Sequence, residues 1–171
     1  MRRRELAVSD AVQYLSFYVG TEAYGFELLE AREIVACTSI TRVPSLPVTV
    51  RGVVNVRGTV IPVVDLAVMF GQPEQPLTGW SCIVILALPA SLGEMGQIGL
   101  LVDTVASVIE LGPGDIAPPP SVGSRIRSPY VRGTGKAGER LVLLLDLARI
   151  FERIEIDPAT LLEELSEEAT S

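Results

Sequence analysis

The 171-residue sequence contains no histidine and a single lysine, Lys136. Without imidazole, the Ser-His-Asp and Cys-His nucleophile systems are excluded. So are histidine-containing metal sites and any phospho-accepting histidine. Two cysteines, Cys37 and Cys82, cannot build a four-thiolate zinc site. Each lies in an apolar segment, where a free thiol behaves as a small hydrophobe. Lys136 sits in "RGTGKAGER", which does not match a phosphate-cradling loop because Ala137 follows the lysine and no apolar helix comes next. A solvated hairpin tip is expected there. No catalytic residues, no metal site and no cofactor are expected.

A basic excess is missing as well. The net charge is −7, which argues against binding nucleic acid, since that requires a basic face to neutralise phosphates. Long apolar runs are also lacking. The longest uncharged stretch, Gln75 to Gly93, is interrupted by Pro76, Gly79 and Pro89. Its strongly apolar part, Cys82 to Leu88, falls far short of the ~20 residues of a spanning helix. Arg2 to Arg4 are followed by Glu5, Ser9 and Asp10 where a secretory signal would be apolar. A cytoplasmic location is expected.

What the chain does have is short runs of branched and aromatic residues punctuated by turn signals. Nearly half of the residues are apolar (48%) and a fifth are charged (20%), the balance of a globular domain. Strands are expected at Tyr14–Val19, Ala23–Leu28, Val53–Val56, Thr59–Val64, Cys82–Leu88, Gln97–Val102, Val105–Leu111 and Leu141–Leu145. "LLEAREIV" reads as a helical turn and "GQPEQPLTG" as a linker. "DPATLLEELSEE" reads as an acidic terminal helix, with Asp157 as N-cap and Pro158 at its first position. Many short strands with only brief helices suggest small barrels.

The sequence also repeats itself. Val50-Arg51-Gly52 leads to Asp65-Leu66-Ala67 and Phe70 with the spacing by which Val131-Arg132-Gly133 leads to Asp146-Leu147-Ala148 and Phe151. Two similar halves imply two similar barrels packed together. Asp65 and Asp146 follow strands and precede helical turns, so N-capping is expected of both. Gly52 and Gly133 are expected to supply backbone freedom, and Arg51 and Arg132 to share a structural role. Arg57 has no counterpart, because Gly138 lies opposite it. It is either a functional residue or the partner of a nearby carboxylate. A carboxylate-only hydrolase using Asp65 and Asp146 is the alternative from another class, but matched repeat positions fit capping better than an acid–base pair.

The segments "YGFELLEAREIV", "VRGVVNVRGTVIPVVDL", "GLLVDTVASVIEL", "YVRG" and "RLVLLLDL" resemble, in order and spacing, the CheW family of chemotaxis coupling proteins. The resemblance covers residues 13–151. It implies an all-β fold of two SH3-like five-stranded β-barrel subdomains around a shared hydrophobic interface, with short helical turns and a C-terminal helix. The first barrel is expected at roughly 23–70 and the second at roughly 80–151, with exchange of terminal strands allowed. Residues 1–12 form an arm and 152–171 an acidic helix or tail.

The resemblance further implies a non-enzymatic adaptor. Such a protein, a monomer in isolation, binds the regulatory domain of the chemotaxis histidine kinase and the cytoplasmic coiled-coil tip of chemoreceptors. It is recruited to receptor–kinase arrays beneath the membrane. Carried over by motif, the receptor would contact Arg57, Val60, Cys82, Gly99, Val105 and Val108, and the kinase Ala31, Glu33 and Gly52. Service in a non-chemotactic chemosensory pathway, controlling surface motility or gene expression, is the nearest variant of this expectation.

Overall fold

The computed structural model describes residues 10–37, 39–44, 46–87, 96–119 and 129–154. Eleven strands fall into two sheets among these residues. In chain order they are β1 (Val12–Val19), β2 (Glu22–Glu27), β3 (Ala31–Ala36), β4 (Val50–Val56), β5 (Thr59–Asp65), β6 (Cys82–Ala87), β7 (Gln97–Val102), β8 (Thr104–Leu111), β9 (Ile116–Ala117), β10 (Val131–Ala137) and β11 (Arg140–Leu145). Helix α1 (Leu66–Met69) follows β5 and helix α2 (Leu147–Arg153) follows β11.

One sheet has the order β3-β6-β7-β5-β4. The other runs β8-β1-β2-β11-β10-β9, five long strands with the two-residue β9 at its edge. Each sheet contains one parallel pair, β5 with β7 and β11 with β2. The remaining pairs are antiparallel. This is the two-barrel, all-β architecture expected of the sequence.

The strands do not divide at 23–70 and 80–151. The β1–β2 hairpin joins the sheet built mostly from the C-terminal half, and β6–β7 joins the sheet of β3 to β5. The halves therefore exchange hairpins. The chain crosses between sheets through the 3-10 turn Leu28–Glu30 and through Asp103. The proline-containing segment 71–79, read as a linker, connects α1 to β6 inside one sheet and does not link the barrels.

The exchange is explained by where the apolar residues point. Alternate residues of a strand face opposite sides. In the first sheet Ile61, Val63, Ile83, Ile85 and Leu101 fill that sheet's own barrel with Cys37. Their neighbours Val64, Val84, Leu86, Ile98, Leu100 and Val102 face the other sheet. The second sheet does the same. Tyr14, Leu111, Val142 and Leu144 fill its barrel. Leu15, Phe17, Val19, Tyr24, Phe26, Leu143 and Leu145 face the first sheet. Strands buried on both faces read as unbroken apolar runs such as "CIVILA" and "RLVLLL". The layer between the barrels is the largest core among the described residues, and both helices plug into it through Leu66, Met69, Leu147, Ile150 and Phe151.

The Asp residues expected as caps act as caps. Asp65 Oδ1 accepts from the backbone N–H of Ala67 at 3.1 Å, and Asp146 Oδ1 from that of Arg149 at 3.4 Å. The symmetry extends to the bulges. The β4–β5 register shifts between Val50 and Gly52, and the β10–β11 register between Val131 and Gly133. Beside each bulge another segment crosses closely. A Cβ on Gly52 would lie 2.2 Å from the Thr41 carbonyl oxygen, and one on Gly133 would lie 3.0 Å from that of Ala117.

Two local readings differ from the structure. "AREIVA" is strand β3 rather than part of a helical turn, which spans only Leu28–Glu30. "VRGTGKA" is strand β10, with Lys136 exposed near its end and the hairpin tip at 138–139. Its glycines resemble turn residues but serve close packing, since a Cβ on Gly135 would meet Leu111 Cδ1 at 2.5 Å. The acidic helix placed from Asp157 onward lies outside the described residues.

Because both barrels lean on one layer, they are expected to unfold together. Leu100, fully buried in that layer, gives the test. Leu100→Ala should destabilise by about 2–5 kcal/mol. Urea unfolding followed by circular dichroism should show a single transition with a lowered midpoint and unchanged slope. Two separated transitions would contradict a shared core.

Candidate functional site

Strand β4 turns into β5 through Arg57 and Gly58, which have φ of 50° and 84°. Two consecutive left-handed residues are what a two-residue hairpin turn needs to match strand twist. Asn55 Oδ1 accepts from the Gly58 N–H at 2.9 Å and locks the turn. Glycine meets the requirement freely, whereas arginine is a costly choice there. Arg57 is the one non-glycine residue with positive φ among the described residues.

The Arg57 side chain reaches across to β3 and grips Glu33 with both ends of its fork. Nη1 donates to Glu33 Oε2 at 2.6 Å and Nη2 donates to Oε1. Arg57 is largely exposed and Glu33 half-buried, so the pair lies on the surface. The two-pronged hydrogen bond from Arg57 holds the Glu33 carboxyl below the usual carboxylate range, outweighing the desolvation that opposes it, with the Arg57 charge adding to the lowering. Both strands joined by this pair are edges of their sheet. Between them runs a groove of about 500 Å³, lined by Val35, Cys37, Thr41, Val54, Val56 and Arg57 among others. The Thr41–Val53 bridge crosses between its walls. Burial pushes the Cys37 thiol up, with Arg51 pulling it down more weakly. It behaves as the apolar filler expected of it, and both Cys37 and Cys82 are free thiols.

The other residues proposed for partner contact are distributed as follows. Val60, next to the Arg57 turn, is exposed on β5, and Val108 is exposed on β8, an edge strand. Cys82 and Val105 are half-buried and pack against the central core at the mouths of β6 and β8. Gly99 is buried in mid-β7, where a Cβ would stand 2.5 Å from Ile83 Cγ2. Its absent side chain serves packing within the first barrel. Ala31 also packs on the central core. Gly52 is buried behind Thr41 and offers no side chain to a partner. Arg57 and Glu33, assigned to different partners from sequence, form one ion-paired unit.

The repeated residues are structural. Arg51 lies 3.2 Å from Asp65 and 3.9 Å from Glu74, and is nearly buried. Arg132 instead donates to Tyr14 Oη at 3.2 Å. Asp65 and Asp146 sit at equivalent helix ends rather than facing one another across a cleft. Several exposed apolar side chains escaped the sequence reading: Leu29 in the crossing turn, Val48 before β4, Ile34 beside Glu33, and Trp80 before β6. Only the alternation of β3, which carries Ile34 outward, could have pointed to any of them. No helix among the described residues is long and apolar enough to cross a membrane.

Two variants follow from this geometry. Gly52→Ala should lower stability by about 1–3 kcal/mol in thermal denaturation, through the collision with Thr41; an unchanged Tm would show that the strand relaxes freely. For Glu33, the sign follows from its lowered folded-state pKa. The pair's contribution to stability is present above the ordinary carboxylate value of about 4.3 and is lost as pH falls through the lowered value. A nuclear magnetic resonance titration should place the Glu33 midpoint below the ordinary value, and Arg57→Gln should return it there.

Comparison with known proteins agrees with this architecture. Residues 13–155 match the family model described as the CheW-like domain. The chemotaxis protein CheW of Klebsiella aerogenes is 30% identical over 146 residues, covering 84% of each chain. That of Treponema pallidum is 29% identical over 160 residues, covering 91% of each. The crystal structure of the scaffolding protein TtCheW from Thermoanaerobacter tengcongensis superposes with a TM-score of 0.68 at 32% identity, covering 79% of this chain and 88% of that one. Matched by the family model over residues 13–155 and 30% identical to a relative over 84% of each chain, the chain belongs to the CheW family.

Proposed function

We propose that the protein is a non-enzymatic chemotaxis adaptor that couples the cytoplasmic tips of chemoreceptors to the regulatory domain of a histidine kinase. The observation that carries this reading is the family match across residues 13–155, nearly the whole described structure. The relatives' names place them in chemotaxis, and TtCheW is described as a scaffolding protein. In this reading the protein works in the cytoplasm and joins membrane-associated arrays through its partners.

The chemistry of the surface supports such a role. A receptor helix needs apolar anchors and a polar residue that sets its orientation. Val60 and Val108 offer exposed apolar surface, with Cys82 and Val105 half-buried at the edge of the central core. Arg57 supplies the planar fork, held in place by Glu33. The kinase surface is placed on β3, around Glu33 and Ala31. Gly52 supports that surface by letting Thr41 approach β4 and contributes no contact of its own. Asp65 and Asp146 cap helices, which supports the adaptor over a carboxylate-only hydrolase.

The ion pair sharpens the mutational test. Glu33→Arg removes a carboxylate and also releases Arg57, so it should abolish calorimetric binding to the kinase regulatory domain. Arg57→Gln should leave that binding within about threefold while weakening receptor-tip binding roughly tenfold, the loss of one charged hydrogen-bonded contact. Equal losses toward both partners would contradict separate surfaces. Absence of kinase binding by the unmodified protein would overturn the coupling function and leave the fold standing.

A further inference from the structure

The same hairpin occurs twice in the molecule and is built differently each time. In the first copy Val56 pairs with Thr59 around the two-residue turn Arg57-Gly58, and in the second Ala137 pairs with Arg140 around Gly138-Glu139. The second copy follows backbone preference. Glycine takes the left-handed first position, with φ of 65°, and Glu139 behind it is not left-handed. The first copy departs from that preference, with Arg57 in the first position at φ of 50° and Gly58 behind it at 84°. Left-handed backbone is unfavourable for a residue that carries a Cβ, so the first turn has to be held in its shape.

Packing does not hold it. A Cβ on Gly58 would meet nothing within 4 Å, and Asn55, Arg57 and Gly58 are all exposed. Beyond the strand pairing itself, two side-chain contacts bear on the turn among the described residues. Glu33 holds the far end of the Arg57 side chain, and Asn55 Oδ1 accepts from the Gly58 N–H at 2.9 Å. The second contact acts on the backbone. It ties down the peptide that joins Arg57 to Gly58, whose orientation follows from the dihedral angles of Arg57 itself. The duplication carries both features together. The gap-free register that sets Arg57 opposite Gly138 sets Asn55 opposite Lys136. Lysine has only donors to offer and cannot accept from a turn amide. The copy with arginine in the turn has the acceptor, and the copy with glycine lacks it.

We propose that Asn55 is a positioning residue for Arg57: by holding the Gly58 amide it fixes the turn from which the guanidinium reaches Glu33 and, in the adaptor reading above, meets the receptor tip. The placement of the fork stands on the geometry, and only the partner rests on that reading. Among the described residues the Asn55 side chain hydrogen-bonds to Gly58 and not to Glu33 or the guanidinium, so its influence on the fork passes through the backbone. A fork that grips a carboxylate at both ends tolerates little displacement of its base. Arg57 is thereby held from two sides, by Asn55 at the main chain and by Glu33 at the guanidinium.

The test reads the fork and the partner separately in Asn55→Ala of the full chain, which trims an exposed side chain and should remain folded by circular dichroism. In a nuclear magnetic resonance titration the Glu33 midpoint should rise from its lowered value toward the ordinary one of about 4.3, as is expected of Arg57→Gln. Leu100→Ala, which weakens the whole fold from the central layer, should leave that midpoint in place, so lost stability alone does not produce the shift. By calorimetry Asn55→Ala should weaken receptor-tip binding about two- to tenfold, the range of one hydrogen bond. Added to Arg57→Gln it should weaken binding no further, because a residue that acts only through another is not additive with it. An unmoved Glu33 midpoint would overturn the proposal. So would losses that multiply in the double variant, since Asn55 would then be a contact in its own right. A raised midpoint with tip binding unchanged in both single variants would uphold the positioning of the fork and overturn the receptor contact assigned to Arg57.

Discussion

The apolar layer between the two barrels is the constraint on which the rest of the molecule depends. Twenty-three buried residues form it among those described, against six and four in the barrels' own cores. Neither barrel could keep its strands buried on both faces without the other. Fully burying a single leucine or phenylalanine contributes about 1.5–3 kcal/mol, so most of the hydrophobic stabilisation comes from this layer. The exchanged hairpins follow from it. Each sheet takes two strands from the other half of the chain, which makes the interface covalently as well as sterically shared. Phe70 shows the result on a small scale. It follows α1 on the first sheet, yet its ring lies 4.9 Å from that of Tyr24 on the second sheet and 5.7 Å from that of Tyr130, in the turn leading into β10.

A rigid double core leaves its turns free to carry chemistry. The Arg57 turn is where the chain departs from what local propensity favours. A hairpin position that suits glycine or asparagine holds a long cation, in a left-handed conformation that disfavours most side chains. What the turn adds is placement at the very tip of the hairpin, with the guanidinium held by two hydrogen bonds instead of moving freely. Strain at one residue persists only where the surroundings hold it, here the Asn55 and Glu33 hydrogen bonds.

Much of this was legible in the sequence. Strand positions could be read because strands buried on both faces are unbroken runs of branched residues, and the duplication could be read because its two copies share spacing without a gap. The capping roles of Asp65 and Asp146 followed from the same repeat. Three features were hidden for physical reasons. Gly133 and Gly135 looked like turn residues because a glycine needed for close approach is indistinguishable in sequence from one needed for backbone freedom. Exchange of terminal strands was allowed for, but which hairpins exchange was not legible, because strand pairing between distant segments leaves no local signature. The Arg57–Glu33 pair joins residues on different strands, and only β3 lying in the same sheet as β4 brings them together. For the same reason the two residues were assigned to different surfaces.

The duplication also orders the surface. Where both copies keep a residue, it serves the frame itself, as the bulge glycines, the capping aspartates and the apolar helical turns do. Where the copies diverge, the position is free to acquire another use. Arg57 stands opposite Gly138, at the tip of the other copy's hairpin, and there the second barrel keeps the plain turn while the first carries a charged one. Arg51 and Arg132 are an intermediate case, since they keep their identity but not their surroundings. The first is sealed under the segment leaving α1 and the second is left at an open cleft. A surface built this way separates by position: the unmatched turn of the first barrel carries an exposed charge, and the matched residues stay with the frame.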